Sequence, residues 1–178
     1  MTKLTLCTII RFVTLALFLT LFGVSTALAQ TKAYVTHAGG EAVSVINTAS
    51  NTVVATVPLG SVPLGIAVTP DGAFAYVTQL GGNTVAVIDA KTNTVIATIP
   101  VGLSPVAVAI TPNGAFAYVT NQFSNTVSVI NTATNTVVTT VPVGSTPSGV
   151  AITPNGAFAY VSNGFGSSVS VKTQQPTR

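Results

Sequence analysis

Short runs of alternating or wholly apolar residues fill most of this chain, and turn signals cut them roughly every ten positions. Residues 107–148 read AVAITPNG, AFAYVTNQFS, NTVSVINTAT, NTVVTTVPVGSTPS, four runs rich in β-branched and aromatic residues. Such spacing leaves no room for crossover helices, so the runs predict four antiparallel strands in a meander. The pattern then repeats. TPNGAFAYVT at 111–120 returns as TPDGAFAYVT at 69–78 and TPNGAFAYVS at 153–162, and Tyr34, Tyr76, Tyr118 and Tyr160 lie 42 residues apart. A period of that length is the mark of a repeat architecture and takes precedence over any local reading.

The turns follow from residue chemistry. In Thr-Pro-Asn-Gly, proline presets φ, asparagine bonds locally, and glycine accepts a left-handed backbone. Pro70, Pro112 and Pro154, with Gly72, Gly114 and Gly156, hold these structural places. The polar stretches 47–52, 89–94 and 131–136 predict a longer second hairpin. Within AFAYV, Phe116 and Tyr118 share one face while Ala115, Ala117 and Val119 share the other. One face is bulky, one small, and both are apolar, so each sheet must be covered on both sides. The fold class is all-β: a β-propeller whose four-stranded antiparallel blades nest bulky face on small face. A β-helix is the alternative, but its rungs are shorter. No Trp-Asp dipeptide marks the chain as the WD40 variety.

The first thirty residues have another character. Lys3 and Arg11 precede FVTLALFLTLFGV and then STALAQ, the layout of a secretory signal peptide cut after Ala29. The expected organisation is 1–29 signal peptide, 30–171 repeats and 172–178 an irregular tail. Cys7 stands early in the leader, so neither a lipid anchor at the cut nor a disulfide in the exported chain is expected. Export to the periplasm, the cell surface or the medium follows, with no membrane anchor after cleavage. Beyond the leader, Lys32, Lys91, Lys172 and Arg178 face only Glu41, Asp71 and Asp89. This near balance disfavours nucleic acid as a partner, since its phosphates need clustered cations.

Tyr-Val-Thr-Asn at 118–121, then NTVSVINTATNTVVTTVPVG and TPSGVAITPNG, resembles the YVTN-repeat β-propellers of surface-layer proteins and of YncE-like secreted or periplasmic bacterial proteins. The resemblance runs from residue 33 to about residue 171 and implies architecture more than chemistry, because the family's shared feature is its scaffold. The fourth motif position varies here as His37, Gln79, Asn121 and Asn163.

Counting strands from the turns gives three, two full blades, and three more, about three and a half blades in a partial or irregular propeller. If a blade face buries ~800 Å² per partner, mostly apolar, its cover is worth roughly 10 kcal/mol. Two bare end faces are therefore a liability. Closure into an irregular four-bladed ring, self-association that completes the propeller, and truncation of a longer gene all remain open.

The loop between second and third strands varies among the copies (THAGGE, TQLGGN, TNQFSN, SNGFGS), whereas the opposite end barely changes. Variation marks the better binding surface, with His37, Glu41, Gln79, Gln122, Phe123 and Phe165 as its candidates. His37 with Glu41 makes too few ligands for a metal, and no cofactor is called for. Asp71 reads as a turn former, Asp89 with Lys91 as a surface ion pair, and the recurring tyrosines as core. The expected function is a non-catalytic exported scaffold that binds a protein or cell-envelope polymer. The alternative is a propeller enzyme of lactonase, lyase or quinoprotein type, whose site would need convergent Glu, Asp, Asn and His.

Overall fold

The computed structural model describes residues 32–173; residues 1–31, with the expected signal peptide, and residues 174–178 lie outside the described residues. Fourteen strands form four antiparallel meanders. The first sheet holds β1 (Lys32–His37), β2 (Ala42–Asn47) and β3 (Thr52–Pro58), with a short 3-10 turn at Ala38–Gly40. The second holds β4 (Pro63–Val68), β5 (Phe74–Gln79), β6 (Thr84–Asp89) and β7 (Thr94–Pro100). The third holds β8 (Pro105–Ile110), β9 (Phe116–Asn121), β10 (Thr126–Asn131) and β11 (Thr136–Pro142). The fourth holds β12 (Pro147–Ile152), β13 (Phe158–Asn163) and β14 (Ser168–Thr173). The all-β partial propeller and its strand count are as the sequence predicts. One boundary moves: Lys172 and Thr173 pair with Ala159 and Phe158, so the strand outlasts the expected start of an irregular tail.

Adjacent sheets nest as the alternation requires. Tyr76, Val85 and Val87 of the second sheet share a buried cluster with Ala117, Val119 and Ile130 of the third. Tyr118, Val127 and Val129 of the third meet Ala159 and Val161 of the fourth in the same way. Bulky side thus faces small side, always in the same chain direction. The inner strands β4, β8 and β12 lie against one another. There a side chain has no room, since a Cβ on Gly65 would stand 2.5 Å from the Val106 carbonyl oxygen.

The Tyr-Val-Thr-Asn motif reads as four directed contacts. Tyr76 and Thr78 point toward the following sheet: the Tyr76 hydroxyl donates to Asn135 Oδ1 at 2.6 Å, and the Thr78 hydroxyl to the Val106 carbonyl at 3.0 Å. Val77 and Gln79 point back, Val77 into the cluster shared with the first sheet and Gln79 Nε2 to the Leu59 carbonyl at 2.9 Å. Thr36 repeats the forward contact on the Leu64 carbonyl at 3.0 Å. Burial pushes the Tyr76 phenol up to about 12 and raises Tyr118 as well, so both stay neutral.

The Thr-Pro-x-Gly turns are built as expected, with φ of 72°, 73° and 72° at Gly72, Gly114 and Gly156. Asp71 Oδ1 accepts the Thr69 hydroxyl at 2.5 Å and the Ala73 N–H at 3.0 Å, and these bonds hold its carboxyl below the usual range. Asn113 makes the same pair of bonds to Thr111 and Ala115. In the second hairpin Asp89 Oδ1 accepts the backbone N–H groups of Lys91 and Thr92 at 2.7 and 2.9 Å. These backbone bonds outweigh the expected pairing with Lys91, whose charge is the smallest of the causes that lower the Asp89 pKa, because backbone donors need no ordering of a long side chain.

Replacing Gly114 with Val should cost about 1–2 kcal/mol, because a β-branched residue resists positive φ. Gly39→Ala, with nothing near the added methyl, should stay within ~0.5 kcal/mol. Urea midpoints at constant slope check both, and equal shifts would refute the turn assignment. Asp71→Asn should leave stability at neutral pH almost unchanged, since Asn113 and Asn155 already close this turn. A lowered folded-state pKa means that the unfolded chain takes up the proton first, so Asp71's contribution is present above about pH 4 and lost as pH falls through its folded value. Melting temperatures followed into acid should therefore fall less steeply for the variant than for the parent.

Candidate functional site

The two ends of the sheets differ in what they expose. At one end the Thr-Pro-x-Gly turns meet the second hairpins of the next sheet, leaving a cleft of about 310 Å³ lined by Pro70, Asp71, Phe74, Pro112 and Thr132 among others. Sequence variation pointed to the opposite end, so this cleft was not foreseen. Its chemistry is already committed: the Asp71 carboxylate and the Asn113 carboxamide serve their own turns. Proline rings and an aromatic edge remain.

The other end carries the variable loops, and the structure separates the six candidates there. His37 occupies the repeat position of Asn121: His37 bonds the Ser44 hydroxyl through Nε2 at 2.8 Å, as Asn121 Nδ2 bonds that of Ser128 at 2.9 Å. It stands in for a structural asparagine. Glu41 adopts φ of 47°, alongside Asn83 at 52° and Asn125 at 54° in the same repeat slot. Its carbonyl accepts the Leu59 N–H at 2.9 Å, as those of Asn83 and Asn125 accept Val101 and Val143 at 3.0 Å. So Glu41 is a turn residue on a left-handed backbone.

Gln79 is a correction to the binding set. It is buried, gives Nε2 to Leu59, and accepts the Thr84 hydroxyl at 2.9 Å, so its amide is turned into the fold and away from the surface. Gln122 is half-buried, with its backbone N–H on the Ser104 carbonyl. Phe123 and Phe165 stand in solvent, 70% and 88% exposed. Leu103, 54% exposed, joins Phe123 through the Phe123 N–H on the Leu103 carbonyl at 3.2 Å. Leu103 escaped the sequence reading because only one of the two loops at this end was compared.

Phe123, Phe165 and Leu103 give this end an exposed apolar surface. Among the described residues no three His, Cys, Asp or Glu side chains gather to hold a metal ion. Asp71 and Asp89 each bond a turn through Oδ1.

A substitution at the start of the repeat shows how local the polar accounting is. Lys32 stands where the later sheets have Phe74 and Phe116, and its ammonium donates to the Ala90 carbonyl at 2.5 Å and Asn93 Oδ1 at 3.1 Å. Those acceptors match the pair that Tyr76 uses in the next sheet, Thr132 and Asn135. Lys32 has taken them, and among the described residues the buried Tyr34 hydroxyl finds no partner. Burial, then the nearby charge of Asp89, raises its pKa.

Comparison with known proteins agrees with this architecture. A solved structure titled Kuenenia stuttgartiensis hydrazine synthase superposes with a TM-score of 0.71 at 29% identity, covering 73% of this chain and 38% of its own. A functionally unknown protein from Desulfotomaculum acetoxidans gives 0.63 at 21% identity, covering 68% and 41%. The chain thus spans about two fifths of each structure's length. No curated protein matches it. The family model described as lactonase, 7-bladed beta-propeller, matches residues 41–140, more than half of the 178. The chain belongs to that seven-bladed β-propeller lactonase family.

Proposed function

We propose that this protein is an exported, non-catalytic propeller scaffold of the YVTN-repeat kind that holds a protein or cell-envelope polymer on its variable-loop end. The observation that carries the reading is the pair of aromatics at that end. Phe123 and Phe165 occupy matching places in neighbouring repeats and stand in solvent, where exposed rings have no folding role and large contact value. Export rests on the leader sequence, and scaffolding on a motif whose four positions are all spent on joining sheets.

A second reading, a propeller enzyme of lactonase, lyase or quinoprotein type, draws on the family match. Hydrolysis of a lactone needs a polarised carbonyl and an activated water. Of the chain's three side-chain carboxylates, Asp71 and Asp89 are bonded into turns, and among the described residues Glu41 belongs to no group of three His, Cys, Asp or Glu that could hold a metal ion. This favours the scaffold.

Co-sedimentation with insoluble peptidoglycan should retain the protein, and the Phe123→Ser, Phe165→Ser pair should cut retention at least ~10-fold with melting unchanged. Undiminished retention by that pair would reject the loop surface. Hydrolysis of a simple lactone above the protein-free rate, with Ca²⁺ or Zn²⁺ supplied, would favour the enzyme instead.

A further inference from the structure

We propose that a second copy of this chain covers the exposed face of the fourth sheet, head to tail, and that two copies close one ring. The face is defined by its counterparts inside the chain. Tyr76, Val85 and Val87 are fully buried beneath the third sheet, whereas their repeat equivalents Tyr160, Val169 and Val171 are 44%, 60% and 50% exposed. Phe158, the equivalent of Phe74, is 39% exposed. Among the described residues the fourth sheet therefore presents the bulky half of a sheet-to-sheet interface without cover, and the four-bladed closure that the sequence left open as one option is not seen there.

The matching half lies at the other end. Inside the arc, each bulky face is covered by an Ala-x-Val pair, joined at the first two interfaces by an isoleucine: Ala75, Val77 and Ile88, then Ala117, Val119 and Ile130, and at the third Ala159 and Val161, where Lys172 holds the isoleucine's place. The first sheet carries the same set, Ala33, Val35 and Ile46, with Val35 42% exposed. What covers such a face is thus seen repeatedly in the molecule, and the chain carries one spare copy of each half. Polar contacts match too. Tyr76 reaches Asn135 of the next sheet, and one period-matched step past the fourth sheet is Asn51 of a second copy, left-handed at 52° like Asn135 at 55°. Tyr160 would donate to it.

Because the two halves sit on different ends, the contact is heterologous and must close or propagate. Two arcs of four sheets make eight, one more than the seven of the matched family and within the usual size of propeller rings, roughly four to eight blades. Closure at two leaves no face bare. This inference is independent of the loop-end reading, which concerns a different surface.

Sedimentation velocity on the purified protein at micromolar concentration tests it, with strand content of every variant verified by circular dichroism. The parent should run as a dimer. Tyr160→Lys and Val35→Lys, both at exposed positions, should each run as folded monomers, and their equimolar mixture should regain dimers through the one intact pair of faces. Tyr160→Phe, which removes only the hydroxyl, should weaken the dimer roughly tenfold. A monomeric parent overturns the proposal. So does a dimer that survives Val35→Lys, which would mean like faces pairing, and so does an open polymer that lengthens with concentration.

Discussion

The nesting of a bulky sheet face into a shallow one is the constraint from which the rest of this molecule follows. Each strand of the Tyr-Val-Thr-Asn type serves two interfaces at once, because successive side chains leave a strand on opposite sides. Tyrosine and threonine go forward, filling space and donating to the next sheet, while valine and the amide go back. No sheet can be stable alone, since its two apolar faces both need cover. Stability is therefore a property of neighbours, as in other repeat arrays.

That division of labour explains why so little of the repeat is free for chemistry. The hydroxyls of Tyr76 and Thr78, the amide of Gln79 and the carboxylates of Asp71 and Asp89 are all partners in hydrogen bonds that hold sheets or turns. Where one partner changes, the loss is local. Lys32 takes the acceptors that Tyr34 would use, and a buried hydroxyl is left over. The first repeat tolerates this because the ammonium satisfies the hairpin of the second sheet in the phenol's place.

Much of this was legible in the sequence because one period fixes both strand order and face. Gly114 could be assigned its left-handed turn, and Phe116 and Tyr118 their shared face, from residue chemistry alone. The candidate site was less legible. His37 and Glu41 look like a chemical pair when read within one loop, yet set beside Asn121 and Asn125, 84 residues on, they are repeat positions with structural work. Gln79 was misplaced for the same reason, its loop position hiding a buried side chain. Leu103 lay in a second loop whose convergence on Phe123 depends on the meander's register, which sequence spacing gives only approximately.

The most direct test of the nesting is a thermodynamic cycle on Tyr76 and Ala117, which face each other in one buried cluster. Tyr76→Leu opens space and Ala117→Leu overfills it, each at a cost of about 1–3 kcal/mol or somewhat more. If bulky and small faces fit as described, the double variant should recover part of that loss, with a coupling above ~1 kcal/mol in urea denaturation. Costs that simply add, to within ~0.5 kcal/mol, would mean that these two residues do not share an interface.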